Sequence, residues 1–285
     1  MFDIYLLEAV INGLLLGGVL ALLALGLNLI FGVIDVVWIA YADLVMCGMY
    51  AVYWLHAYYG WPLTAACAAA IVGVAGLGLV VHVVIIAPVL RAAPINQLLA
   101  TGGLLFFLQS FATLLFGTDF RNIGVRLPVI EMGGIYVSFA RLLAFGFALV
   151  GAVALYVFLK RTYLGVAIRA ISQDRDIMGL MGVDQRRIYL VTSAIGGALA
   201  GLGGCLLVLQ YDVHPFIGNT FGPLIFMICV LGGLGNMIGG FIASFIISQI
   251  ISIGGYYYST ELAYVLAFTL FIVLMFVRPR GILGR

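Results

Sequence analysis

Long apolar runs alternate with short polar or glycine-rich breaks along the whole chain, and their spacing predicts nine hydrophobic helices. The runs cover residues 9–33, 37–56, 62–87, 95–117, 139–159, 188–210, 221–237, 238–254 and 261–277. A helix crossing a bilayer needs about 20 mostly apolar residues. The seventh and eighth runs are short and meet at Gly232-Gly233-Leu234-Gly235-Asn236. Each glycine costs a helix about 1 kcal/mol relative to alanine, so this junction predicts a broken or re-entrant element beside protein or a cavity. If the pair forms one re-entrant hairpin, the count falls from nine to seven.

Two stretches leave this pattern. Residues 118–138 alternate apolar and polar positions around glycines and Pro128, which predicts a small external hairpin. Residues 160–187 hold the apolar positions Val166, Ile168, Ile171, Ile177, Met178, Leu180 and Met181 around a polar centre. Two short helices joined at Gln173-Asp174 would present a compact amphipathic surface there, as expected of a docking element.

Composition narrows the class. Of 285 residues, 65% are hydrophobic and 8% charged, and mean hydropathy is +1.24. A soluble domain carries about a quarter charged residues and could not hide this much apolar surface. The expectation is one all-α, polytopic integral membrane domain over residues 1–285, with about eight or nine transmembrane or re-entrant helices.

Charge then orients it. Arg91, Lys160, Arg161, Arg169, Arg175, Arg186, Arg187, Arg278, Arg280 and Arg285 fall on one side of the predicted spans. Arg121, Arg126 and Arg141 fall on the other. The positive-inside rule puts the larger group in the cytoplasm and the acidic N-terminus (Asp3, Glu8) outside. No basic residue precedes Arg91, so a cleaved secretory leader is not expected. The only lysine, Lys160, is followed by Arg161, so the Gly-Lys-Ser/Thr of a nucleotide-binding P-loop cannot be built. Any ATP used must sit on another polypeptide.

Catalytic and metal chemistry find no support. Cys47, Cys67, Cys205 and Cys229 lie in apolar stretches and read as small buried residues. His56, His82 and His214 are isolated from one another. The sequence has no His-Glu-x-x-His, no Gly-x-Gly-Asp, no intramembrane-protease serine context, no Thr-Val-Gly-Tyr-Gly filter and no Asn-Pro pair. Among the few polar groups within the runs, Asp43 is the leading site candidate, because a lone charge in hydrocarbon is expensive. Asp35 reads as an interfacial turn residue. Asn28, Thr101, Gln109 and Asn236 read as helix bridges or ligand contacts.

Specific motifs then point to a family. Gly165-Val166-Ala167-Ile168-Arg169-Ala170, followed by Gly179-Leu180-Met181-Gly182-Val183, is similar to the cytoplasmic coupling loop of ATP-binding-cassette importer permeases of the branched-chain amino acid family. Residues 11–18 and 21–28 resemble that family's first span, and Leu99-Ala100-Thr101-Gly102-Gly103 with Leu108-Gln109 its fourth. Leu231-Gly232-Gly233-Leu234-Gly235-Asn236 resembles its glycine motif, and Arg278-Pro279-Arg280-Gly281-Ile282-Leu283-Gly284 its tail. One stretch departs: Trp38-Ile39-Ala40-Tyr41-Ala42-Asp43 stands where family members often carry Asn-Phe-Ala-His-Gly.

The resemblance implies the multi-pass permease subunit of an importer in a bacterial or archaeal plasma membrane. It implies a second permease subunit (homologous or identical), two ATPase subunits carrying ATP-Mg, and an external solute-binding protein. Nucleic acid has no part in it, and this chain itself binds no cofactor or metal. Coupling is expected at Arg169, Ala170, Asp174, Gly179 and Gly182. A substrate pathway is expected past Asn28, Trp38, Tyr41, Asp43, Thr101, Gln109, Gly232, Gly233 and Asn236. The implied solute is a branched-chain or other small amino acid, with urea, short amides and aromatic or other carboxylic acids as alternatives. Trp38 and Tyr41 favour a flat or apolar solute. A secondary transporter or channel is the rival class, and neither needs the docking loop.

Overall fold

The computed structural model describes residues 4–125, 128–132, 135–279 and 281–283. Asp3, Arg126, Arg280, Gly284 and Arg285, used above for topology and motifs, lie outside them. The core is α1 (Ile4–Ile34), a 31-residue helix of leucine, alanine and glycine that is buried on all sides over its C-terminal two-thirds. A helix apolar all round has no solvent face to keep, so the rest of the bundle wraps it. α2 (Tyr41–Tyr53) runs on into a π-helical turn, Trp54–Tyr58. α3 (Leu63–Val81) passes through a second such turn, His82–Ile86, into the short α4 (Ala87–Val89). α5 (Pro94–Phe116) leads outward.

Beyond it, β1 (Val129–Met132) and β2 (Ile135–Ser138) pair antiparallel, Val129 opposite Ser138, as the alternation at 118–138 predicts. α6 (Phe139–Arg161) returns to the basic side. There α7 (Tyr163–Ile171) and α8 (Arg175–Leu180) form the two short helices expected of the loop. α9 (Gln185–Leu207), α10 (Ile217–Gly232), α11 (Met237–Tyr257) and α12 (Thr260–Val277) complete the bundle. Seven of these segments are long and apolar enough to cross a membrane.

Glycine sets the helix spacing. On α9, a Cβ at Gly197 would lie 2.6 Å from the Val74 carbonyl oxygen, and one at Gly201 3.0 Å from the Ile71 Cα. Across from them, Gly78 faces the Ser193 carbonyl and Gly48 faces Gly201. Such small-residue seams let membrane helices approach closely where no hydrophobic force draws them together.

Loop contacts sort the two faces. Arg175 pairs with Asp35 at 3.6 Å, Gly235 N donates to Asn28 Oδ1, and Ile282 N donates to the Leu231 carbonyl. On the opposite face Arg141 donates to Asn12 Oδ1, Asn122 to Asp212, and Arg121 bridges Val213. The basic loops share the first face, as the charge asymmetry requires. Cysteines placed singly at Gln173 and Asn122 in a cysteine-free variant are therefore expected to label with an impermeant maleimide from opposite sides. Labelling of both from one side would overturn this topology.

Two expectations change. The second run does not begin as helix at residue 37: residues 35–40 are irregular, and α2 starts only at Tyr41. The eighth is a full 21-residue helix, so the glycine junction joins a short helix to a long one and is not a re-entrant hairpin. At Gly102 and Gly103, by contrast with the α9 seam, a Cβ would meet nothing within 4 Å.

Candidate functional site

The irregular stretch after α1 creates the site. α1 ends at Ile34, and Asp35 turns the chain with a left-handed φ of 61°. Aspartate tolerates that conformation better than most residues. Residues 36–40 then climb back between helices, with Val36, Trp38 and Ala40 almost wholly buried. Exposed backbone at membrane depth must find partners inside the protein. Thr101 Oγ1 on α5 supplies one, donating to the Val37 carbonyl at 3.0 Å, and Tyr41 N donates to the Trp38 carbonyl.

Because of this climb, α2 begins inside the bundle. Its Tyr41 hydroxyl reaches α9, donating to the Gly196 carbonyl at 3.4 Å. The hydroxyl also fills the space a Cβ on Gly26 would need. Gly26 lies nine residues before Asp35 on α1, so the start of α2 sits about 13 Å inward along the helix at 1.5 Å per residue. α10 is short as well: its 16 residues span about 24 Å against a hydrocarbon core of about 30 Å. Two helices thus start within the membrane and face each other, Gly222 of α10 lying beside Ala42 of α2.

Between them is a cavity of about 380 Å³. Its apolar wall is Leu27, Val37, Ile39, Leu98, Leu105, Ile225 and Phe226, and Trp38 and Tyr41 close one side. Ala42, Gly218 and Asn219, from the first turns of α2 and α10, complete it. Several of their first N–H groups are engaged within the chain, Tyr41 N on the Trp38 carbonyl, Asp43 N on Ala40, Ile217 N on His214 and Asn219 N on Phe216, so what the two N-termini lend the cavity is the partial positive charge of their helix dipoles.

A buried polar cluster lies behind this rim. Gln109 Nε2 donates to Asp43 Oδ1 at 3.1 Å and to Asn219 Oδ1 at 2.8 Å. Both hydrogens of that amide are then used. Asp43 is fully buried, and its Oδ2 has no hydrogen-bond partner. A Cβ at Gly218 would come 2.5 Å from Asp43 Oδ1. Gly218 thus leaves only backbone between the carboxylate and the cavity. The cluster holds more acceptors than donors, and among the described residues no basic side chain pairs with Asp43.

The remaining predicted pathway residues gather elsewhere. Asn28 Nδ2 donates to the Asn236 carbonyl at 3.5 Å, and its Oδ1 accepts from Gly235 N at 3.1 Å. Asn236 caps α11 by accepting from Gly239 N and donates to the Leu283 carbonyl. Gly232 packs directly on the Gly239-Gly240 backbone, and Gly233, at φ 100°, turns the chain. This knot ties α1, α10, α11 and the tail together, and its members do not line the cavity. Sequence reasoning missed Gly218 and Asn219: the seventh run was placed at 221, beyond both.

On the basic face, Thr162 caps α7 by accepting from Gly165 N. Gly165 is pressed on the backbone of Phe158 and Leu159. Ala167, Ile168 and Ile171 turn inward, while Arg169 faces out and Ala170 is half-buried. Asp174 Oδ1 accepts from Ile177 N and so caps α8. Gly179 lies against the Gln185 amide, and Gly182 turns at φ 81°. Val166, Ile177, Leu180 and Met181 are left exposed on this platform. On the opposite face the His214 ring lies tilted against Phe120, centroids 4.6 Å apart, and partial burial holds its imidazole below the ordinary value.

Comparison with known proteins agrees with this architecture. Residues 9–275 match the family described as branched-chain amino acid transport system, permease component. The high-affinity branched-chain amino acid transport system permease protein LivH of Escherichia coli (strain K12) is 31% identical, covering 99% of this chain and 96% of its own length. The high-affinity branched-chain amino acid transport system permease protein BraD of Pseudomonas aeruginosa is 30% identical, covering 98% and 96%. Among solved structures, "PsaBC from Streptococcus pneumoniae in complex with Fab" aligns with a TM-score of 0.52 over 94% of this chain and 91% of that one. At 12% identity that likeness concerns the fold alone.

Proposed function

The chain belongs to the family of permease components of branched-chain amino acid transport systems, and on that premise we propose that it carries an aliphatic amino acid through the membrane as the translocation subunit of an ATP-driven importer. Two ATPase subunits bind ATP-Mg beneath it, a second permease subunit completes the pathway, and an external binding protein delivers the solute. It is a multi-pass protein of the plasma membrane.

The observation that carries this reading is an apolar cavity bordered at one end by a buried carboxylate and by two helix N-termini. Asp43, with one free oxygen and a surplus of acceptors around it, receives the ammonium group. The N-termini of α2 and α10 receive the carboxylate. The aliphatic side chain lies among Leu98, Leu105, Ile225 and Phe226. Interrupted helices with their ends turned to a midplane solute are a recurring transporter device. Urea would leave the apolar wall unused, and an aromatic acid without an amine would leave Asp43 unpaired.

The test is uptake by the reconstituted complex. Proteoliposomes containing the permeases and ATPases, supplied with the external binding protein, are expected to accumulate leucine only with ATP present. Urea and an aromatic acid should not accumulate, even when binding proteins for those solutes are supplied. Uptake that needs no ATPase subunit would make the chain a secondary transporter.

Coupling runs through the α7–α8 platform, where Arg169 offers its guanidinium to the ATPase. Gly182 holds a left-handed turn in open surroundings, so a β-branched side chain strains the backbone and touches nothing else. Gly182→Val is expected to leave insertion and assembly intact while cutting substrate-stimulated ATP hydrolysis about tenfold, the effect of roughly 1.4 kcal/mol of strain at such a site. Unchanged stimulation would make the loop a solvated connection only.

A further inference from the structure

We propose that a second cavity, on the basic face between the end of α3, α8 and the start of α9, binds a phosphate group, supplied by an anionic phospholipid of the inner leaflet. The cavity measures about 520 Å³. Three guanidiniums line it, those of Arg91, Arg175 and Arg186, together with Gln185, Tyr189 and His82. Asp35 compensates Arg175. Among the described residues neither Arg91 nor Arg186 has a carboxylate partner. Asp184, the nearest acid in sequence, is engaged by Arg187 at 3.0 Å and caps α9. Among the described residues, the concavity thus keeps an uncompensated positive charge.

Its shape has a local cause. The π-helical turn His82–Ile86 widens the end of α3 just before Pro88, whose ring cannot follow a regular helical hydrogen bond. His82 is held there by Ser193 Oγ, 2.9 Å from its Nδ1. Gln185 Nε2 donates to the Arg175 carbonyl at 2.7 Å and fixes the opposite wall. Arginine forks suit phosphate oxygens, and basic pockets between membrane helices on the cytoplasmic side suit anionic headgroups.

The outer flank decides the source. Val80, Val83, Val84, Ala87 and Pro88 are exposed and lead along the end of α3 to Arg91. An acyl chain lying on that apolar row places its phosphate at the arginines. Inorganic phosphate would use the guanidiniums and leave the row uncovered.

The test counts lipids bound to the purified, delipidated transporter complex by native mass spectrometry. Dioleoylphosphatidylglycerol, dioleoylphosphatidylcholine and inorganic phosphate are titrated in parallel. Phosphatidylglycerol is expected to bind and phosphatidylcholine not to. Arg91→Gln and Arg186→Gln should each weaken binding about fivefold, the worth of one basic residue at an anionic surface. Should Arg91→Gln fail to assemble, the exposed Arg186→Gln decides by the same measure. Displacement of the lipid by millimolar phosphate would support the phosphate site and make its source soluble. Equal binding of both lipids, phosphatidylglycerol binding indifferent to both substitutions, or no binding because a partner subunit covers the arginines, would each overturn the proposal. ATP-driven leucine uptake does not enter these readouts.

Discussion

Asp43→Asn is expected to reduce leucine uptake by the assembled transporter about 10- to 100-fold while leaving the chain folded and able to assemble. The asparagine has nearly the same shape and keeps an oxygen for the Gln109 amide, so the cluster that joins α2, α5 and α10 survives. What disappears is the negative charge and the free acceptor at Oδ2. A hydrogen bond to a charged group is worth about 1.5–3 kcal/mol, which sets that range. Gly218→Ala should mimic the defect without altering charge, because the added methyl would crowd Asp43 Oδ1. The unsubstituted complex should reject 4-methylpentanoate, which is leucine without its amine. Proteoliposome uptake of both solutes checks all three, and wild-type leucine uptake by Asp43→Asn would remove Asp43 from the recognition scheme.

The second large effect concerns stability. Gly197→Leu is expected to prevent α3 and α9 from docking, giving a chain that inserts but aggregates on extraction. A Cβ alone at Gly197 would sit 2.6 Å from the Val74 carbonyl oxygen and 3.2 Å from the Ala75 Cα. Those neighbours are backbone and cannot swing aside as a flexible side chain would. Overpacking a core costs about 1–3 kcal/mol even where side chains rearrange, so a backbone-on-backbone clash exceeds that. Size-exclusion chromatography with a thermal ramp in detergent reads the outcome. Gly102→Leu, placed where nothing lies within 4 Å, is the matched control and should behave as wild type. A monodisperse Gly197→Leu protein of unchanged melting temperature would show that the seam is not close-packed.

Much of this molecule could be read from its residues, and the parts that could not share one cause. Hydrophobic length located each long helix to within a few residues, because bilayer thickness leaves little choice. The hairpin at 118–138 and the paired helices of the basic loop followed from alternation and amphipathic spacing. The break before Tyr41 was invisible: Val36-Val37-Trp38-Ile39-Ala40 is as apolar as any helix, and the side chain that satisfies the Val37 carbonyl, Thr101, lies 64 residues away. Asn219 was invisible in the same way, since its role rests on Gln109 of another helix. Asn28 and Asn236 looked like pathway residues because polarity within a span does not reveal whether its partner is a ligand or a neighbouring turn.

The contact between Arg175 and Asp35 has a mechanical meaning. Asp35 is the residue from which the irregular stretch departs, and Trp38, three positions later, is cavity wall. Arg175 opens α8, a part of the exposed platform whose N-terminus Asp174 caps. On the proposed coupling, a push on the platform would reach the cavity through one ion pair and three residues, without passing along the length of any membrane helix. The linkage is short but slack: its charges are 3.6 Å apart and half in water, where such pairs contribute about 0–1 kcal/mol. A rigid strut there would fix the chamber in one shape; a loose one transmits a stroke and then lets go.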